Sequence, residues 1–207
     1  MNKGKFIVFE GIDASGKSTQ IRMLEQYLKS KGVPVYITRE PTDSPFGALA
    51  HQCMTGRIQS DEKAIAAIMA ADRLDHIYNK TNGLLDKINA GITVISDRYY
   101  FSSYAYQGAH LDMDWVIELN RLSAEALRPD VNIFIDIDAQ TSMQRLQGRG
   151  DLERYEKLDK QLKVREQYFA AFKRLGNSER VEIVQSEKEP ADTQANIRKI
   201  IDGIFEF

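Results

Sequence analysis

Three observations predict an α/β fold in which a five-stranded parallel sheet lies between two layers of helices. Short runs rich in Val and Ile recur along the 207 residues: Phe6–Phe9, Val33–Thr38, Ile92–Ser96, Val131–Ile137 and Val181–Gln185. They are continuous rather than alternating, as strands buried on both faces of a parallel sheet are. The segments between them carry helical period, and a strand–helix alternation builds a three-layer α/β/α arrangement. Finally, the first run leads straight into a glycine-rich turn, and ligands of such sheets sit at the carboxyl ends of the strands.

Length suits one domain spanning residues 1–207 with a short flexible lid. Net charge is −2, from 28 Lys and Arg against 30 Asp and Glu. No basic excess exists to track nucleic acid or an anionic membrane. Cys53 is the single cysteine, which excludes a disulfide framework and a cysteine zinc site and fits a reducing compartment. Met1–Lys5 runs directly into the first strand, leaving no room for a signal peptide. No apolar run approaches the ~20 residues of a membrane span. A soluble, cytoplasmic protein without internal repeats is expected.

The glycine-rich turn reads Gly11-Ile12-Asp13-Ala14-Ser15-Gly16-Lys17-Ser18, followed by a helical segment from Thr19 to Lys29. A strand, a G-x-x-x-x-G-K-S loop and a helix in that order form the phosphate-binding P-loop, so the fold is expected to be that of the P-loop NTPases. The glycines let successive N–H groups turn toward a phosphate chain, and the helix adds its positive end. Lys17 offers a charge to the β- and γ-phosphates of ATP, and Ser18 a hydroxyl to Mg²⁺.

After the second strand, Arg39-Glu40-Pro41 forms a stiff turn, because Pro41 keeps its predecessor out of helix. Arg39 is thereby presented at the active edge, suited to gripping a phosphate. Asp61–Tyr78 starts as a helix should, with Asp61-Glu62, and is then apolar all round. Such a helix is sandwiched inside the monomer or packs on a symmetry mate. Arg73, on so apolar a helix, must find a partner in Asp72, Asp75 or a ligand. Asn79-Lys80-Thr81-Asn82 lacks the final Asp of a guanine-reading motif and is read as a decoy.

The third strand ends at Asp97-Arg98. Asp97 stands where a second Mg²⁺-side carboxylate belongs, and Arg98 where an acceptor phosphate would be held. Ser102–Gly108 offers hydroxyls, an amide and rings that suit a base-and-sugar pocket, or simply core. The lid is expected at about 145–155, where Gln147–Glu153 holds two glycines and is flanked by Arg145, Arg149 and Arg154; it would close over the migrating phosphoryl group, or form a solvated charged face. In the helix Glu153–Leu175, Tyr155, Leu158, Leu162, Phe169 and Phe172 fall near one face.

Four stretches together resemble the thymidylate kinase (dTMP kinase) family among the nucleoside monophosphate kinases: Phe9–Thr19, Thr38–Thr42, Ala71-Asp72-Arg73, and Asp97-Arg98-Tyr99 through Ala105–Gly108. The resemblance covers most of the chain. It implies transfer of the γ-phosphoryl of ATP to dTMP with Mg²⁺, in a homodimer packed through helices such as Asp61–Tyr78. It further implies an ATP site of residues 11–19 with Arg145 and Arg149. The acceptor region, about 39–108, would use Asp13, Arg39, Pro41, His51, Met69, Arg73, Arg98, Ser103, Tyr106 and Gln107. Within that region the family's roles put Arg98 on the dTMP phosphate, Arg73 on thymine and Tyr106 under the deoxyribose, with Asp13 orienting the acceptor. Ala14 is not basic, so Arg149 takes the transition-state role, supported by Arg145 and Arg154. His51 stands where the family usually has an arginine, and Met69 where it has a phenylalanine stacked on the base. An imidazole cannot make the bidentate grip, which predicts weaker or pH-dependent acceptor affinity.

Two other readings stay open. A kinase of the same build could act on another monophosphate or on a deoxynucleoside. For the latter, Glu10 stands where a base for a 5′-hydroxyl is needed. A P-loop switch protein would bind ATP without acceptor-dependent ADP release.

Overall fold

A computed structural model describes residues 3–147, 158–176 and 178–207. The chain runs β1 (Phe6–Glu10), α1 (Lys17–Ser30), β2 (Val35–Arg39), α2 (Pro45–Met54), α3 (Glu62–Tyr78), α4 (Leu84–Asn89), β3 (Thr93–Asp97) and α5 (Tyr100–Tyr106). It continues with α6 (Met113–Leu119), α7 (Arg121–Ala126), β4 (Val131–Asp136), α8 (Ala139–Gln147), α9 (Leu158–Leu175), β5 (Val181–Gln185) and α10 (Pro190–Phe205). The five strands pair in parallel in the order β2-β3-β1-β4-β5. The connection from β1 runs to β2 on one side of it and the connection from β3 to β4 on the other, which opens a crevice at the carboxyl end of β1, where the glycine loop begins.

Strand alternation sorts the apolar runs into two cores. Phe6 and Val8 face Tyr99, Tyr104, Phe134, Tyr168 and Phe172. Ile7 and Phe9 face Ile21, Leu24 and Leu28 of α1 and Ile197 and Ile201 of α10. The expectation of strands buried on both faces holds for β1, β3 and β4, apart from half-buried Asp97 at the end of β3. The edge strands depart from it: β2 is half-buried to exposed, and β5 buries only Val184. An edge strand lacks a neighbour on one side, so its side chains keep access to water.

Three helical expectations are corrected. The segment following the P-loop is helical from Lys17 rather than Thr19. On α3, the inward face carries Ile65, Ala66, Met69, Ala70, Asp72, Arg73, His76 and Ile77. Ala64, Ala67 and Tyr78 stay exposed, with Ile68, Ala71 and Leu74 half-buried, so the described chain covers only one side of this helix. On α9, Leu158 and Leu162 point to water, and Gln161, Val164, Tyr168, Ala171 and Phe172 turn inward. That helix is described from Leu158, leaving Glu153 and Tyr155 outside the described residues.

Candidate active site

A cavity of about 270 Å³ opens at the carboxyl ends of β1, β2 and β3, lined by Asp13–Thr19, Arg39, Glu40, Asp97, Arg98 and Leu146. The P-loop reaches it through unusual backbone. Gly11 has φ +148°, and a Cβ there would lie 2.7 Å from the Ile135 carbonyl oxygen. Ala14 and Arg98 adopt positive φ, +54° and +75°, a region that non-glycine residues seldom occupy and that clusters at functional sites. The N-terminus of α1 carries no side-chain cap, so its first N–H groups face the cavity without a side-chain acceptor.

Lys17 is buried, and its Nζ donates to the carbonyls of Gly11 (3.1 Å) and Ile12 (3.0 Å). Burial, aided by the charge of Arg98, pulls its ammonium down to about 8, against the attraction of Asp97 and Asp13. Ser18 Oγ donates to Asp97 Oδ2 at 3.1 Å. The other oxygen, Oδ1, is buried and has no hydrogen-bond partner among the described residues, so this carboxylate has an acceptor to give to a ligand.

Arg98 is held from several sides. One terminal nitrogen pairs with Asp13 Oδ1 and reaches Tyr106 OH at 3.1 Å. The other donates to the Gly11 carbonyl at 3.1 Å and to Ser102 Oγ at 3.2 Å. Burial pushes the Asp13 carboxyl up, but Arg98 and Lys17 outweigh it and hold the group below the usual range. Arg39 is exposed and pairs at 2.8 Å with Asp43, itself in water, so it is free to turn toward a phosphate.

Arg73 departs from both protein partners expected for it. Asp72 accepts instead from Thr42 and Ser44, and Asp75 from Asn79. Arg73 is fully buried on Glu40 at 2.7 Å, on Ser103 Oγ at 3.2 Å and on the side chain of Asn120. Glu40 also meets His76 Nδ1 at 3.1 Å, and His76 Nε2 lies 2.7 Å from Thr38 Oγ1. One turn beyond Ser103, Gln107 is buried, and its Oε1 has no partner among the described residues. Met69 is buried one turn before Arg73, Pro41 is half-buried beside Glu40, and His51 is exposed on α2; none of the three lines the phosphate cavity. Arg145 donates to the Ala14 carbonyl and to Ser186 Oγ, each at 3.3 Å. Arg149 and Arg154 lie outside the described residues.

Glu10 is completely buried, and four groups supply it with donors. Oε1 accepts from the N–H of Tyr99 (2.9 Å) and Ser102 (3.2 Å), and Oε2 from Ser102 Oγ (2.6 Å) and Tyr168 OH (2.8 Å). Burial raises its carboxyl above the usual range despite these bonds. It ties β1 to α5 and α9 and does not line the phosphate cavity, which removes the support it lent to a nucleoside-kinase reading.

Sequence reasoning passed over the inner face of α9. Gln161 bonds Asp13, Tyr168 bonds Glu10, and Arg165 grips Asp136 at 2.7 and 2.8 Å. The spacing of these three, i, i+4 and i+7, was the available signal, since it puts them on one face of a helix.

Fold and cavity together define a P-loop phosphotransferase of the nucleotide-kinase build. The family model described as thymidylate kinase matches residues 9–197. A "Probable thymidylate kinase" of Thermococcus onnurineus (strain NA1) is 42% identical over 173 residues, 79% of this chain and 82% of the relative. The thymidylate kinases of Caldicellulosiruptor saccharolyticus and Carboxydothermus hydrogenoformans are 34% and 32% identical, with 98% of both chains covered. The chain belongs to the thymidylate kinase family.

Proposed function

We propose that the chain transfers the γ-phosphoryl of ATP to dTMP, giving dTDP and ADP. The observation that carries this reading is the juxtaposition of Lys17 and the Arg98–Asp13 pair on one small cavity, with cations on the donor and acceptor sides. An acceptor phosphate is already an anion, so the reaction calls for positioning and charge neutralisation more than for a base. Residues 11–19 wrap the donor phosphates, which Lys17 and the N–H groups at the start of α1 hold. Arg145, bonded to the loop at Ala14, takes the ATP side. Arg98 and Arg39 hold the acceptor phosphate, with Asp13 orienting Arg98.

For the base we assign Arg73, Ser103 and Gln107, beside Met69 and Pro41, with Tyr106 under the sugar and His51 at the outer acceptor side. The unpartnered Oε1 of Gln107 supports a donor-bearing base edge there. Ser18 and Asp97 suit Mg²⁺, a hard cation that takes oxygen ligands, and the partnerless Asp97 Oδ1 supports the fit. When bound, the ion would neutralise charge on the β- and γ-phosphates. Arg149, helped by Arg154, is assigned to the migrating phosphoryl group on sequence grounds, in a lid at about 145–155 of a single domain.

The open face of α3 supports a homodimer, because Ala64, Ala67 and Ala71 would let two such helices approach closely. No helix among the described residues is long and apolar enough to cross a membrane. A cytoplasmic location is part of the same reading, supported by the buried free thiol of Cys53. Incubation with Mg·ATP and dTMP, followed by ³¹P NMR, tests the proposal. Resonances of dTDP growing with those of ADP are expected; ADP with free phosphate and no dTDP would refute it.

A further inference from the structure

Gln161 stands in the first described turn of α9 and is fully buried. Burying an amide is costly unless both of its ends are bonded. Among the described residues both are bonded to Asp13. Its Nε2 donates to Asp13 Oδ2 at 2.8 Å, and its Oε1 accepts the Asp13 N–H at 3.2 Å. Exchanging the amide's oxygen and nitrogen would break both contacts, because an N–H only donates and a carboxylate only accepts. The remaining oxygen of Asp13 holds Arg98. The side chain therefore forms a two-point clamp from α9 onto the P-loop. Its neighbours on the same face fasten α9 elsewhere, Arg165 to Asp136 at the end of β4 and Tyr168 to Glu10 at the end of β1.

We infer that Gln161 is a positioning residue for the acceptor phosphate: it fixes the Asp13 carboxylate, and through it the aim of Arg98. The inference rests on the reading of Asp13 and Arg98 as acceptor-side groups. Without the clamp, Asp13 keeps its charge but loses its fixed direction, and Arg98 follows it.

Two variants separate positioning from mere packing. Gln161→Met keeps the volume and removes both polar contacts with Asp13. Gln161→Glu keeps the shape but sets a second carboxylate against Asp13 Oδ2. Among the described residues, the charged and titratable groups around that pair are Lys17 from α1, Arg98 after β3, Tyr106 from α5 and Tyr168 from α9. Two carboxylates sharing a site titrate as a pair and retain one proton to higher pH. A protonated glutamate can then donate to Asp13 as the amide did.

At pH 8, kcat/KM for dTMP is expected to fall ~10- to 100-fold in both variants, the scale of a lost bond to a charged group, with KM for ATP little changed. Relative to wild type at each pH, Q161E should recover on acidification toward pH 5.5, and Q161M should not. Unchanged kcat/KM in Q161M overturns the inference, as does a Q161E profile that stays parallel to that of Q161M. The Q161M arm decides alone if Q161E does not fold, as judged by far-UV circular dichroism. Wild-type turnover of dTMP tests the underlying reading separately. If wild type turns over no dTMP, ¹³C NMR titration of the Asp13 carboxyl still decides the clamp. A carboxyl shifted upward in Q161E supports it, and one that titrates as in wild type overturns it.

Discussion

Glu40 and Arg73, 2.7 Å apart and both buried, join the turn after β2 to the middle of α3. Removing one partner of such a pair strands the other charge in the interior, at a cost of about 3–5 kcal/mol. Glu40→Ala is therefore expected to lower the unfolding free energy by that much, seen as a lower denaturant midpoint at unchanged slope, and also to raise KM for dTMP, because Arg73, which bonds Ser103, loses its anchor. Asp43→Ala, which frees the exposed Arg39, should leave the midpoint almost unchanged. Equal midpoints for the two variants would contradict this account.

Lys17→Met is expected to abolish most turnover while leaving the fold intact. The sign follows from the ammonium's value of about 8 in the folded chain, below its unfolded value of about 10.4. Between these two values the unfolded chain binds the extra proton, so stability rises as pH increases through that window. Below pH 8 the buried charge is a standing cost, which methionine removes. Thermal melts at pH 7 should show a midpoint equal to or above wild type, and a large drop would mean that Lys17 holds the loop together.

ATP binding should take up protons as pH rises through 8. Phosphates favour the charged form of Lys17, and at pH 8 about half of that group is neutral in the free chain. Calorimetry in two buffers of different ionisation enthalpy would show almost no uptake at pH 6.5 and a growing uptake from pH 8 to 9, with affinity falling over the same range. Absence of uptake at pH 8.5 would place the lysine charge elsewhere.

Asp97→Asn keeps the hydrogen bond from Ser18 within reach but removes the charge that would face a cation. The Mg²⁺ concentration for half-maximal rate is expected to rise roughly 10- to 100-fold, as outer-shell carboxylate losses do. An unchanged Mg²⁺ titration would remove Asp97 from the metal side.

The buried strands and the phosphate loop were legible because their signals are local. A continuous Val/Ile run encodes a strand buried on both faces, and the loop's spacing encodes its own conformation. Arg73 shows where local reading stops. Its partner lies 33 residues away, and the two acids beside it in sequence point to other groups. On α9 the apolar period misled: Leu158 and Leu162 face water, and the polar Gln161 and Arg165 bond inward, to Asp13 and to Asp136 at the end of β4. A helix carrying bonded polar groups inward does not announce its inner face by hydrophobicity. The short helices α4 to α7 escaped because six or seven residues hold too few turns to show a period.

A coupled ADP-release assay with Mg·ATP and a panel of acceptors (dTMP, dUMP, UMP, dCMP, AMP, GMP and thymidine) measures whether this cavity sends the phosphoryl group from ATP to dTMP. dTMP is expected to stand well above the rest and thymidine to be inert, since Glu10 is enclosed and cannot serve a hydroxyl. If another monophosphate matched or exceeded dTMP, the assignment of Met69, Arg73, Ser103 and Gln107 to the thymine base would be contradicted, and turnover of thymidine would contradict the acceptor-phosphate role of Arg98.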